Sequence, residues 1–107
     1  MLDNFKEGWR NKFESCLNYV QTTLPEARIE SIERYKAMLR IKFVAPNPDM
    51  QYLLDCLSYK IERDSARMCE FCGEFGYRRL DELFTEPLCL CFTCYVREVD
   101  SILNNNQ

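Results

Sequence analysis

The residues with chemistry to offer are four cysteines in two tight pairs, Cys69-Glu70-Phe71-Cys72-Gly73 and Cys91-Phe92-Thr93-Cys94, with eighteen residues between the pairs. Two C-x-x-C pairs at that separation form the pattern of a structural zinc site. Each pair bends the backbone around half of a tetrahedron, and the intervening segment brings the halves together. Thiolates are soft donors suited to Zn²⁺, and four of them close its coordination sphere. A closed site leaves no position for water or substrate. The expectation is one structural Zn²⁺ on Cys69, Cys72, Cys91 and Cys94, with no reaction at the metal.

Other chemistries lack their parts. Histidine is absent, which removes Ser-His-Asp and Cys-His arrangements and H-E-x-x-H metal sites. No glycine-rich phosphate loop occurs. Asp81, Glu82, Glu86 and Asp100 supply carboxylates, but nothing pairs them with a nucleophile or an open metal. A thiol–disulfide role for C-x-x-C needs a βαβ context that this chain lacks. The chain is therefore not expected to be an enzyme.

With 107 residues, 47% hydrophobic content and only three glycines, it reads as one ordered domain, residues 1–107. Residues 1–67 form a helix–hairpin–helix core and 68–107 a metal module with a C-terminal helix. Setting aside the four ligands leaves Cys16, Cys56 and Cys89 unpaired, a pattern ordinary in a reducing compartment. The opening residues, MLDNFKEGWRNKF, lack the basic-then-apolar order of a signal peptide, and no apolar run or lipidation box marks a membrane protein. A cytoplasmic location is expected.

The elements that must position the cysteines follow from periodicity. Leu2, Phe5, Trp9, Phe13, Cys16, Leu17, Val20 and Leu24 recur every three or four residues, which predicts a helix over 2–24 that Pro25 stops. Residues 26–44 are ambiguous. Ile29, Ile32 and Leu39 fit a helix, whereas Leu39-Arg40-Ile41-Lys42-Phe43-Val44 alternates strictly, as a strand does. Two strands joined near Lys36-Ala37 are the preferred reading. Asp49 is expected to cap a second helix that ends near Ser65, with Met50, Leu53, Leu54, Leu57 and Ile61 on its inner face. Cys56, beside that face, reads as a small buried residue. In the metal module, Gly73 accepts a positive φ where the knuckle turns, and Gly76-Tyr77-Arg78-Arg79 opens a short hairpin returning through Pro87-Leu88. A final helix has Val96, Val99, Ile102 and Leu103 on its apolar side. Its Asn-Asn-Asn-Gln tail is expected to fray. The fold class is α+β.

Residues 29–95 resemble a family of small uncharacterised bacterial and phage proteins. The likeness rests on Ile32-Glu33-Arg34-Tyr35, Leu39-Arg40-Ile41, Ser65-Ala66-Arg67-Met68, Cys69-Glu70-Phe71-Cys72-Gly73 and Leu90-Cys91-Phe92-Thr93-Cys94. The chain departs from the family pattern at the hairpin, where it lacks a glycine after the aromatic and carries one extra residue. The family's register implies Cys91, rather than Cys89, as the third ligand. The resemblance implies no activity. It implies only a setting, the accessory genes of mobile elements, in which small immunity proteins and anti-defence inhibitors are common.

Charge bears on partners. Residues 1–68 hold eleven Lys/Arg against ten Asp/Glu, and residues 69–107 hold three against seven. Four thiolates on one Zn²⁺ take the module to about −6. Such a surface binds phosphate backbones poorly and basic protein surfaces well. The expected partner is another protein with a basic surface, bound by an immunity protein or inhibitor. The alternative is a nucleic-acid-binding zinc ribbon, with Arg28, Arg34, Arg40 and Lys42 along one exposed side of the hairpin and Arg78-Arg79 nearby.

Overall fold

The computed structural model describes residues 1–105; Asn106 and Gln107 lie outside the described residues. It has three helices, a two-stranded antiparallel hairpin and a second small antiparallel pair, an α+β arrangement. In chain order these are α1 (Glu7–Thr23), β1 (Arg28–Tyr35), β2 (Met38–Val44), α2 (Pro48–Ser65), β3 (Tyr77–Arg79), β4 (Leu88–Leu90) and α3 (Phe92–Asn105).

Helix α1 buries Trp9, Phe13, Leu17 and Val20 along one stripe. It starts at Glu7, not at residue 2. Leu2 is fully buried, but it packs from a preceding turn whose backbone closes through Phe5 N–H to Leu2 C=O and through Leu2 N–H to Glu14 Oε2, 2.9 Å. Lys6 provides no side-chain cap. Instead the Gly8 N–H donates to the Glu70 carbonyl at 2.8 Å, so an acceptor from the cysteine knuckle satisfies a free donor of the first turn. A Cβ on Gly8 would lie 2.3 Å from the Cys69 oxygen and 2.6 Å from the Gly73 nitrogen. Only glycine permits this approach. Leu24, ahead of Pro25, leaves helical geometry, and the helix stops there.

The segment 28–44 is two strands, and the turn falls on Lys36 and Ala37, with φ of 49° and 64°. Two positive φ values match the right-handed twist of the flanking strands. A bulge at Glu30 shifts the register: Ile29 pairs with Phe43, Ser31 with Lys42, Ile32 with Ile41 and Arg34 with Leu39. One extra residue reverses the facing of everything after it. Ile29 and Ile32, three apart, therefore share the inner face. Arg34 shares it too, which removes it from the exposed basic stripe expected for it.

Helix α2 is capped by Asn47, not Asp49. The Asn47 Oδ1 accepts from the N–H groups of Asp49 and Met50 at 2.8 and 3.2 Å, and Pro48 takes the first helical position, where a missing N–H costs nothing. The helix lies along the free edge of β2. Gln51 bonds Phe43 C=O and Ala45 N–H, Ser58 donates to Ile41 C=O, and Ser65 accepts from Leu39 N–H. Three polar residues spaced seven apart thus cover an edge that would otherwise invite pairing. This contact tips the buried arc toward Leu54, Ile61 and Ser65, leaving Leu53 65% exposed. Cys56 is exposed as well, correcting its reading as a buried residue. At the C-terminus α3 extends to Asn105, so Asn104 and Asn105 of the expected frayed tail are helical, while the rest of that tail lies outside the described residues.

Two apolar clusters result. Leu2, Trp9, Leu17, Leu39, Ile41, Phe43, Leu54 and Cys89 belong to the larger. Cys69, Leu90 and Cys94 form the smaller, with Phe71, Phe84, Leu88 and Tyr95 against it. Strand β4 is shared, giving Cys89 to one and Leu90 to the other. The clusters are joined by Arg34, whose Nε and Nη2 meet Glu70 Oε1 and Oε2 at 2.7 and 2.9 Å. Arg34→Met leaves the buried Glu70 carboxylate without its cation and is predicted to cost about 3–5 kcal/mol in urea unfolding. Arg34→Met with Glu70→Gln recovers most of that loss, because Gln still accepts from Cys89 N–H and carries no charge. Strictly additive losses in the double variant would contradict the pairing.

Candidate metal centre

The knuckle from Cys69 to Gly73 closes through Gly73 N–H to Cys69 C=O at 2.9 Å, with Gly73 at φ +82° as its position in the sequence predicts. Cys69 N–H donates to Glu74 C=O at 2.7 Å, folding the loop back on itself. The second knuckle is the entry to α3. Cys91 precedes the helix, Cys94 lies in its first turn, and Tyr95 N–H reaches Cys91 C=O at 2.9 Å. Strands β3 and β4 pair Tyr77 with Leu90 and Arg79 with Leu88, and so bring the second knuckle to the first. Gly76 sits under this joint, where a Cβ would meet the Leu90 carbonyl carbon at 2.8 Å.

All four expected ligands converge. The Sγ atoms of Cys69, Cys72, Cys91 and Cys94 lie within 4.8 Å of one another, and Cys72 and Cys91 are 3.6 Å apart. Sulfurs about 2.3 Å from a common Zn²⁺ would stand about 3.8 Å apart, so the cluster has the size of a tetrahedral site. Four cysteines placed so can hold a metal ion. Cys69 and Cys94 are buried, Cys91 is half-buried and Cys72 faces solvent.

The electrostatics fit a cation at the centre. The Cys94 backbone N–H points at the Cys91 sulfur from 3.5 Å and, outweighing desolvation, brings that thiol down to about 7. Burial, and then the three neighbouring thiols, push Cys94 up. Four sulfurs this close cannot all ionise unaided, and a bound dication removes the conflict.

Cys89 stands apart from the cluster. It is fully buried in β4 and donates to Ala66 C=O at 3.3 Å, and burial together with Glu70 and Cys69 raises its thiol to about 12. The third cysteine of the cluster is Cys91, as the register implied.

The residues that hold the knuckle in place from outside, Arg34 and Trp9, lie far from it in sequence and carry no metal-site motif. Glu70, 3% exposed, accepts both Arg34 nitrogens and, on Oε2, the Cys89 N–H at 2.8 Å. Glu86 adds a carboxylate 3.2 Å from Arg34 Nη1, and the Trp9 indole N–H donates to Met68 C=O at 3.0 Å. One signal was available: a carboxylate inside a C-x-x-C loop sits among thiolates and needs a cation of its own.

The expected basic stripe is largely neutralised. Arg34 is turned inward, Lys42 meets Glu30 at 3.1 Å, and Arg40 lies 3.3 Å from Glu62 and 3.9 Å over the Tyr35 ring. Among the described residues no helix is long and apolar enough to cross a membrane. Comparison of the chain with protein-family models, curated proteins and solved structures yields no match.

The burial pattern predicts an order of thiol reactivity. In reduced folded protein at neutral pH, Cys56 is alkylated by iodoacetamide early, whereas Cys89 stays protected until the chain unfolds. Peptide mass mapping over time reads the order. Labelling of Cys89 at the rate of Cys56 would show that β4 does not bury it.

Proposed function

We propose that Cys69, Cys72, Cys91 and Cys94 hold one structural Zn²⁺ and that the chain acts by binding another protein stoichiometrically. The observation that carries the binding half is the surface of the metal module. It combines an acidic balance, six carboxylates besides the buried Glu70 against three arginines in residues 69–107, with exposed Tyr77, Leu80, Phe92 and Val96. Exposed large apolar side chains on a charged surface are candidates for contact with a partner. The acidic excess favours a basic partner and speeds its approach. The narrower reading, an immunity protein or anti-defence inhibitor of a mobile element, rests on the motif resemblance alone.

A nucleic-acid-binding ribbon is the competing reading, and the ion pairs weigh against it. Cations already held by Glu30, Glu62 and Glu70 have to give up those partners before they can neutralise phosphates. Four thiolates would leave a Zn²⁺ no open coordination position, which weighs against a catalytic role at the metal.

Two measurements test this. Elemental analysis of purified protein is expected to give one zinc per chain, lost on replacing Cys69, Cys72, Cys91 or Cys94 with Ser and kept on replacing Cys16, Cys56 or Cys89. Zinc-free protein that is fully folded would refute the metal assignment. Titration with single- and double-stranded DNA and RNA at physiological salt is expected to show no binding. Tight association that weakens steeply with salt would instead establish the nucleic-acid reading.

A further inference from the structure

Helix α3 carries Phe92, Val96, Val99 and Leu103 at steps of four, three and four. At about 100° per residue, these four fall within roughly 60° of arc, and Cys94 lies on the opposite side. Cys94 is buried against the metal cluster, so the stripe points away from it. The exposures agree: Phe92 is 73%, Val96 47% and Leu103 49% exposed, and Val99 is half-buried. Among the described residues no element covers Phe92, Val96 and Leu103, although their spacing is that of a helix face made to pack.

Its flanks say what covers it. Along one side the 81–88 loop lies against α3, forming a groove of about 250 Å³ lined by Leu83, Phe84, Leu88 and Ile102, with Glu86 and Glu98 among its walls. Asp81 stands beside the Tyr95 hydroxyl at the head of the same side. Asp100 is exposed on the other side. Residues 80–105 contain five carboxylates, of which Glu86 is shared with Arg34, against Arg97 on the Asp100 side and Arg79 over the Tyr95 ring, so an acidic excess remains. An apolar strip whose groove side is acidic complements an apolar ridge bordered by basic residues.

A second copy of the chain fits the apolar spacing but not the charge. In an antiparallel pair with Phe92 against Leu103 and Val96 against Val99, Asp100 and Arg97 of both copies share one border and offset each other, but the two groove sides, each with Glu98, fall together on the other border. A bilayer is disfavoured for a related reason, since helices that lie on anionic membranes carry Lys and Arg on their polar side.

We infer that the α3 stripe and the adjoining groove are the docking surface for a partner protein that presents an amphipathic segment flanked by Lys and Arg. This deepens the protein-binding reading above and rests on it. The stripe runs about 17 Å along the helix axis, enough for three turns of a partner helix. Binding then draws affinity from the apolar strip and its rate and selectivity from the acidic groove side.

The test uses the full chain with zinc bound and two fluorescein-labelled helical peptides of roughly 18 residues, one of Leu and Lys, the other of Leu and Glu in the same pattern. Anisotropy is expected to show binding of the Leu/Lys peptide only. Val96→Glu and Leu103→Glu should each weaken it about tenfold or more, a loss typical of a central contact. Leu53→Glu, on the exposed side of α2, should leave it unchanged. Asp100→Lys with Glu98→Lys should weaken it and reduce its salt dependence. Unaltered zinc content and circular dichroism keep the comparison among folded proteins, and Leu103, near the far end of α3, is remote from the cysteines in sequence. The inference is overturned if the wild type binds neither peptide or both equally, or if Val96→Glu and Leu103→Glu have no effect. It is also overturned if sedimentation shows self-association that Val96→Glu abolishes, which would assign the stripe to a second copy. The underlying protein-binding reading fails on a different readout, the nucleic-acid titration, so the two failures are distinguishable.

Discussion

The pairing of Arg34 with Glu70 is the interaction on which the arrangement of the two apolar clusters depends. Arg34 leaves the hairpin on its inner face and Glu70 leaves the first cysteine knuckle, so their two-pronged contact fixes the metal module against the core. Neither charge is well solvated, with side-chain exposures of 16% and 4%. Burying such a pair is costly unless every remaining lone pair and proton finds a partner. Here they do: Cys89 N–H donates to Glu70, Arg34 also donates to Pro87 C=O, and Glu86 approaches Arg34 from the other side. The pair specifies which face of the knuckle meets α1. Gly8 and Gly73 then allow the backbones to touch, and Gly8 N–H caps onto Glu70 C=O.

That interaction also marks the boundary of what the sequence discloses. Elements governed by local chemistry were legible: the stripe of α1, the alternation of 39–44, the turn at Lys36-Ala37, and the knuckles with their glycine. The four-cysteine cluster was legible because C-x-x-C spacing is itself a local geometry. Contacts that depend on tertiary register were not. The bulge at Glu30 reverses the facing of Arg34, and nothing in Ile29-Glu30-Ser31-Ile32 announces it except the three-residue step between isoleucines, which also fits a helix. Asn47 outcompetes Asp49 as a cap because Pro48 takes the first helical position, a preference contained in Asn47-Pro48-Asp49 that places Asp49 two residues inside the helix start. Gln51, Ser58 and Ser65 look like solvent-side residues until β2 is found beside them.

The metal cluster and α3 form one device. Cys94 lies in the first turn of α3, so a metal ion held by the four sulfurs would fix the direction in which that helix leaves the module. The side of the helix away from the cysteines is the side that carries Phe92, Val96 and Leu103 into solvent. A metal ion bound there would hold this amphipathic helix rigid against a small core of Leu90, Leu88 and Phe84 without itself touching a partner. Rigid presentation lowers the ordering cost that a free helix of this length would incur on association.

A closed centre of four sulfurs is tested most directly by X-ray absorption at the zinc edge. The expected result is a single shell of four sulfur atoms about 2.3 Å from the metal, with no light-atom neighbour. A shell containing oxygen or nitrogen, or fewer than four sulfurs, would contradict it, because an open position would restore the chemistry that a closed site excludes.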